Sequence, residues 1–289
     1  MMLKKFFSCF MAAAIAAAGL ITGNYSYISI DSAAADSYLS APASTDVLKE
    51  SAYVTWTPVS GADGYNVYCK PIGGSYVQLD SMLIRQYSGY FRADAVGLKP
   101  GSYVMKVVPT ADGKEDTSKA VESDAITVGN YDRSGFAFSK NSPNGGTGVG
   151  AYNDDGTLKD DAIVLYLTEE TKKTMKFDVK GSSGYVSCTG LVEILDAYSD
   201  GYDSRPLNIR IIGKVTADGV VGANSDTNNL NLKTNNTKRI VKNITIEGIG
   251  DDAVCYGFGI RGLKIQSVEI RNIGIMLFGD DGIAFETAN

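Results

Sequence analysis

Two segments near the C-terminal end of the chain carry one apolar pattern twice. Ile244, Ile246 and Ile249 are matched by Val268, Ile270 and Ile273 at an offset of about 24 residues, within the range of stacked repeats. Farther along each unit, Gly257-Phe258-Gly259-Ile260 is echoed by Asp281-Gly282-Ile283-Ala284-Phe285. Each unit thus reads as two short strands joined by Gly and Asp turns. A unit this small cannot bury its apolar face alone, so it must stack on its neighbours. The repeat predicts the first coils of a right-handed parallel β-helix; a short antiparallel meander is the alternative that fits the same alternation.

The segment from Ala43 to Gly129 has a different rhythm, with short alternating strands punctuated by turns. Ser51 to Thr57 alternates and carries Trp56. Gly61-Ala62-Asp63-Gly64 then turns into a strand with Tyr65, Val67 and Cys69 on one face. Tyr76, Gln78 and Leu79 suggest the next strand, and Leu98-Lys99-Pro100-Gly101 turns into Ser102 to Val108, with Tyr103, Met105 and Val107 sharing a face. Residues 130–150, rich in Gly, Ser, Asn and Pro, read as a linker. A short helix is expected at Gly190 to Tyr198 from the spacing of Leu191, Ile194, Leu195 and Tyr198, and a strand at Leu207 to Ile212. The fold class is therefore all-β, with short alternating strands at 43–129 and a parallel β-helix at 151–289.

At the N-terminus, Lys4 and Lys5 precede an apolar run from Phe6 to Ile21, and Ala33-Ala34-Ala35 supplies small residues before Asp36. That order predicts a secretory signal peptide at 1–35 and a secreted, extracellular protein with no membrane span after cleavage. Histidine is absent and the net charge is −6. Ser-His-Asp and Cys-His catalysis and His-ligated zinc are thereby excluded from the segment, and a nucleic-acid partner is disfavoured. After loss of Cys9, Cys69, Cys188 and Cys255 are an odd number. A Cys188–Cys255 bridge and buried thiols both remain open.

The Trp strand, the Gly-Tyr-x-Val-Tyr strand at Gly64 to Tyr68 and the Leu-x-Pro-Gly-x-Tyr turn at Leu98 to Tyr103 resemble fibronectin type III domains. That resemblance makes Trp56, Tyr65, Leu98 and Tyr103 core and corner positions rather than sugar-stacking platforms. It also implies a β-sandwich at 43–129 and makes the module a spacer or a cell-wall or protein docking unit. Gly190 to Asn289 resembles pectate lyases of polysaccharide lyase family one. The residues carrying this likeness are the helix-strand entry at Gly190 to Gly213, Asn243-Ile244-Thr245-Ile246-Glu247-Gly248-Ile249-Gly250, and Ser267-Val268-Glu269-Ile270-Arg271-Asn272-Ile273.

The family resemblance implies calcium-dependent β-elimination of polygalacturonate. A calcium ion held by carboxylates neutralises the sugar carboxylate, and an arginine acts as the base. Asp281-Gly282-Ile283-Ala284-Phe285-Glu286 matches the family's calcium-binding setting, which makes Asp281 the expected ligand and Asp280 its neighbour and second ligand. Asp251-Asp252 occupies a similar point one coil earlier, where the family has no site, and serves as an internal control. Arg271 matches a structural arginine, so neither it nor Arg261 is assigned as the base. By the resemblance, the catalytic arginine and the remaining carboxylates are expected beyond Asn289, which would leave this chain an inactive fragment. Lys233, Lys238, Arg239 and Lys242 form a basic cluster, either a solvated turn or an attraction for polygalacturonate. Two rivals remain: a polygalacturonase-type hydrolase using Gly279-Asp280-Asp281, and a non-catalytic pectin-binding surface protein.

Overall fold

The computed structural model describes residues 38–41, 48–131, 148–223 and 227–287. The expected signal peptide and most of the expected linker lie outside the described residues. Among the described residues the chain is all-β, apart from one α-helix at Leu191–Tyr198 and two single-turn 3-10 segments.

The antiparallel half consists of two sheets. In the first, Ser51–Trp56 lies between Leu39–Ser40 and Phe91–Val96, with Ile84–Gln86 outside. In the second, the long strand Gly101–Ala111 pairs with Gly64–Pro71 and with Ile126–Gly129. Strand alternation turns Ala52, Val54 and Trp56 of one sheet and Val67, Met105 and Val107 of the other into a single apolar core. Trp56 stacks on Phe91 at 5.7 Å between ring centroids and meets the edge of Tyr65 at 5.1 Å. Tyr65 accepts a hydrogen bond from the Val59 N–H at 2.7 Å, and Tyr103 donates to the Lys99 carbonyl at 3.0 Å. These aromatic rings therefore pack and fasten corners, as the sequence predicted. Of the expected strand around Tyr76, only Val77–Gln78 pairs.

The second half is parallel. Ile163–Leu167, Leu207–Thr216, Lys242–Tyr256 and Gln266–Arg271 lie side by side in one sheet, and Asn229–Lys233, Gly259–Leu263 and Ile283–Glu286 form another. From Leu207 onward the chain passes between the two sheets in turn, so each return lays a strand on the one before. Every pairing within these two sheets is parallel, which removes the antiparallel meander. The repeat is literal: Ile244 faces Val268, Ile246 faces Ile270, and Ile260 faces Ile283. Asn243 and Ser267, which fall opposite each other in this register, both adopt left-handed backbone with φ of 62° and 54°. Leu207, Ile209, Ile211, Ile244, Ile246, Leu230, Leu232 and Ile260 are buried between the sheets. Each such side chain contributes roughly 1.5–3 kcal/mol.

The helix buries Leu191, Ile194, Leu195 and Tyr198, the face its spacing predicted. Its start is fixed by Gly190 at φ 83° and by Glu193, which accepts a hydrogen bond from the Thr189 N–H at 2.8 Å. The helix packs on an antiparallel hairpin, Lys176–Gly181 with Gly184–Thr189, that the sequence did not predict. Cys69, Cys188 and Cys255 are unbridged and buried. Burial pushes the Cys69 and Cys255 thiols up to about 12.

The two halves meet through charge. Between Ile212 and Lys214 the register against the longer strand Lys242–Tyr256 slips, and the extra residues bulge out at Gly250–Ala253. Asp251-Asp252 lies in this bulge. Asp251 accepts from Arg92 at 2.6 Å, and Asp252 accepts from Arg85 and from the Tyr87 hydroxyl, both at 2.9 Å. Asp94 pairs with both arginines. Domain edges also differ from expectation, because Leu39–Ser40 already pairs with Trp56 and Thr55 ahead of position 43. Val149 and Gly150, expected in the linker, are buried, and the Gly150 N–H donates to Ser267 Oγ at 3.1 Å.

Candidate functional site

Asp280 and Asp281 sit in the exposed turn between the strands Gly274–Met276 and Ile283–Glu286. The turn is fixed by backbone contacts on the strand beneath. The Ile260 N–H donates to the Gly282 carbonyl at 2.9 Å. A Cβ added at Gly259 would lie 1.9 Å from the Asp281 carbonyl oxygen, so only glycine lets this turn close down. Asn228 and Asn229, which the sequence reading passed over, lie under the same turn. Asn228 Nδ2 donates to the Gly257 carbonyl, and Asn229 Oδ1 faces Gly259. Downstream, Arg261 Nε donates to Glu286 at 2.6 Å and holds that carboxyl below its ordinary range.

The two predicted calcium ligands are therefore adjacent and open to solvent. Among the described residues, no group of three or more His, Cys, Asp or Glu side chains is gathered tightly enough to hold a metal ion. Beneath the turn, Asn229 Oδ1 and the Asp281 carbonyl oxygen both face Gly259.

A second cluster is largely buried. Glu247 accepts from Arg271 at 2.8 Å, from Arg210 at 3.1 Å, from Asn208 at 2.8 Å and from the Tyr152 hydroxyl. Burial alone would push the Glu247 carboxyl up, but the Arg271 and Arg210 guanidiniums outweigh it and hold the group below its ordinary value. Burial pushes the Tyr152 hydroxyl up in turn. Arg271 also reaches Glu50 at 2.9 Å. Arg271 is thus held in ion pairs with Glu247 and Glu50, while the buried Asn208 Oδ1 has no hydrogen-bond partner among the described residues.

The basic cluster is divided. Lys233 pairs with Asp196 at 3.2 Å, Arg239 lies 3.7 Å over the Tyr202 ring, and Lys238 and Lys242 are exposed. Among the described residues no helix is long and apolar enough to cross a membrane. No protein-family model matches the sequence, and the search of curated proteins gives no match.

Proposed function

We propose that this chain belongs to a secreted, calcium-dependent polysaccharide lyase that cleaves polygalacturonate by β-elimination, built as a fibronectin type III-like sandwich followed by coils of a right-handed parallel β-helix. The observation that carries the reading is the parallel register that places Ile283 on Ile260, with Asp280 and Asp281 exposed on the turn just before it. Support for the sandwich comes from the common core of the two antiparallel sheets.

The chemistry asks the protein for carboxylates near the sugar carboxylate. Asp281 and Asp280 would hold calcium, which supplies positive charge to offset the substrate anion as the C5 proton leaves. The chain's own residues fix the turn and leave Asp280 and Asp281 open to solvent. We assign no base here. Arg271 and Arg210 are closed in ion pairs with Glu247, and Arg261 is paired with Glu286. The exposed Lys238 and Lys242 could steer an anionic polymer only weakly, because salt screens such charges.

The reaction product tests the proposal. The protein isolated from its own secretions should release an ultraviolet-absorbing unsaturated uronide from polygalacturonate, and a chelator should stop it. New reducing ends without absorbance would mean a hydrolase, and neither signal would mean a binding protein.

A further inference from the structure

We infer that Asn229 is an additional ligand of the calcium position, its side-chain oxygen meeting the ion from beneath the Asp280–Asp281 turn. The inference rests on reading that turn as a calcium position.

Asn229 opens the strand Asn229–Lys233, in which Leu230 and Leu232 face the core. Alternation sends Asn229 to the opposite face, the side on which Lys233 remains partly open to solvent. Asn229 is nonetheless only 1% exposed. Neither its Oδ1 nor its Nδ2 has a hydrogen-bond partner among the described residues. Buried amides are almost always satisfied, so this one calls for a missing partner.

The geometry around Gly259 indicates what the partner is. Asn229 pairs with Gly259 across the sheet. The point where a Gly259 Cβ would lie is 2.4 Å from Asn229 Oδ1 and 1.9 Å from the Asp281 carbonyl oxygen. The two oxygens are therefore separated by no more than the sum of those distances. One cation at about 2.3–2.6 Å from each could touch both. Two oxygens facing each other with no proton between them repel, and a cation reverses the sign of that interaction. Calcium takes 6–8 oxygens from carboxylates, amide carbonyls and backbone carbonyls; the Asn229 amide oxygen and the Asp281 backbone oxygen face one point here, on the turn that carries the Asp280 and Asp281 carboxylates. The competing arrangement turns the amide over, so that Nδ2 donates to the Asp281 carbonyl.

Titration of the full gene product with calcium chloride alone, followed by calorimetry, separates the two. Asn229→Leu should weaken calcium binding at least tenfold while leaving the calcium-free melting temperature close to wild type. Asn229→Asp adds a charge at the ligand position and should tighten binding, with a larger calcium-induced rise in melting temperature. Should Asn229→Leu fail to fold, the Asn229→Asp result decides alone. Unchanged calcium affinity in Asn229→Asp, or no calcium binding by the wild type, overturns the inference and leaves the turned amide. Calcium binding with both expected shifts, but no elimination of polygalacturonate, would overturn the function and keep the site. Calcium-dependent elimination with unaltered affinity in Asn229→Leu would do the reverse.

Discussion

Glu50 and Arg271, 221 residues apart in sequence, are joined by a carboxylate–guanidinium contact of 2.9 Å with both side chains nearly sealed from solvent. Glu50 reaches Arg271 from a left-handed backbone position, φ 53°, held by its N–H on the Gly129 carbonyl and by its own carbonyl accepting from Gly97 and Leu98. The corner of the antiparallel half is thus shaped to aim one carboxylate into the parallel half. Arg271 keeps Glu247 at 2.8 Å when Glu50 loses its charge, so the loss is that of one charge-assisted contact, about 1.5–3 kcal/mol, rather than of a stranded guanidinium. Glu50→Gln should therefore lower stability by that order, with the urea midpoint falling for probes in both halves. A shift confined to the antiparallel half would show that the contact does not couple them.

Acid should loosen the parallel half through Glu247. Its carboxyl is held below the ordinary value of 4.5 in the folded chain, since its two arginine partners outweigh burial. A depressed folded value means that the stabilisation is complete above the unfolded value and is lost as pH falls through the folded one. Urea midpoints should drop steeply below about pH 4.5 in the wild type. In Glu247→Gln, destabilised already at neutral pH, the slope should be shallower. Equal slopes would mean that another group carries the acid response.

Asp252→Asn and Asp281→Asn should separate structure from binding. Asp252 is paired with Arg85, and its side chain is 44% exposed, so screening limits the loss to about 1 kcal/mol. Asp281→Asn should leave calcium-free stability unchanged and weaken only calcium binding. A melting-temperature loss in Asp281→Asn without calcium would assign Asp281 to the fold.

Gly259→Ala should be severe in both respects. The new Cβ meets a backbone carbonyl at 1.9 Å, which cannot swing aside as a side chain can. The turn must lift, and calcium binding should fall together with stability, measured as paired titration and melting curves. An Ala variant with wild-type calcium affinity would show that the turn tolerates displacement.

Thiol labelling probes the cores. Cys69, Cys188 and Cys255 are buried, and burial raises each of their pKa values. Reagent should react with them slowly in the folded protein and fast in urea. Rapid reaction without denaturant would place at least one thiol at the surface.

How much of this was legible in sequence depended on how local the cause was. The helix face and the Ile columns could be read because four or more apolar residues repeat at one period. The hairpin at Lys176–Gly181 and Gly184–Thr189 was missed because Tyr185 and Val186 are exposed and its strands carry no clean apolar alternation. The ion pairs of Asp251 and Asp252 were not legible because their partners, Arg92 and Arg85, lie more than 150 residues away, and no local pattern announces the bulge. Asp280 and Asp281 were visible as a motif. Asn229 was not, since an asparagine beginning a strand carries no signal until the turn above it is placed.

The most direct test compares the full gene product and its Asp281→Asn variant on polygalacturonate, following ultraviolet absorbance with and without saturating calcium. Wild type should form the unsaturated product only with calcium, and Asp281→Asn should be slower by at least about tenfold, the scale on which disturbing a metal's ligand set reduces activity. Equal rates in the two proteins, or absorbance independent of calcium, would contradict the assignment of this turn.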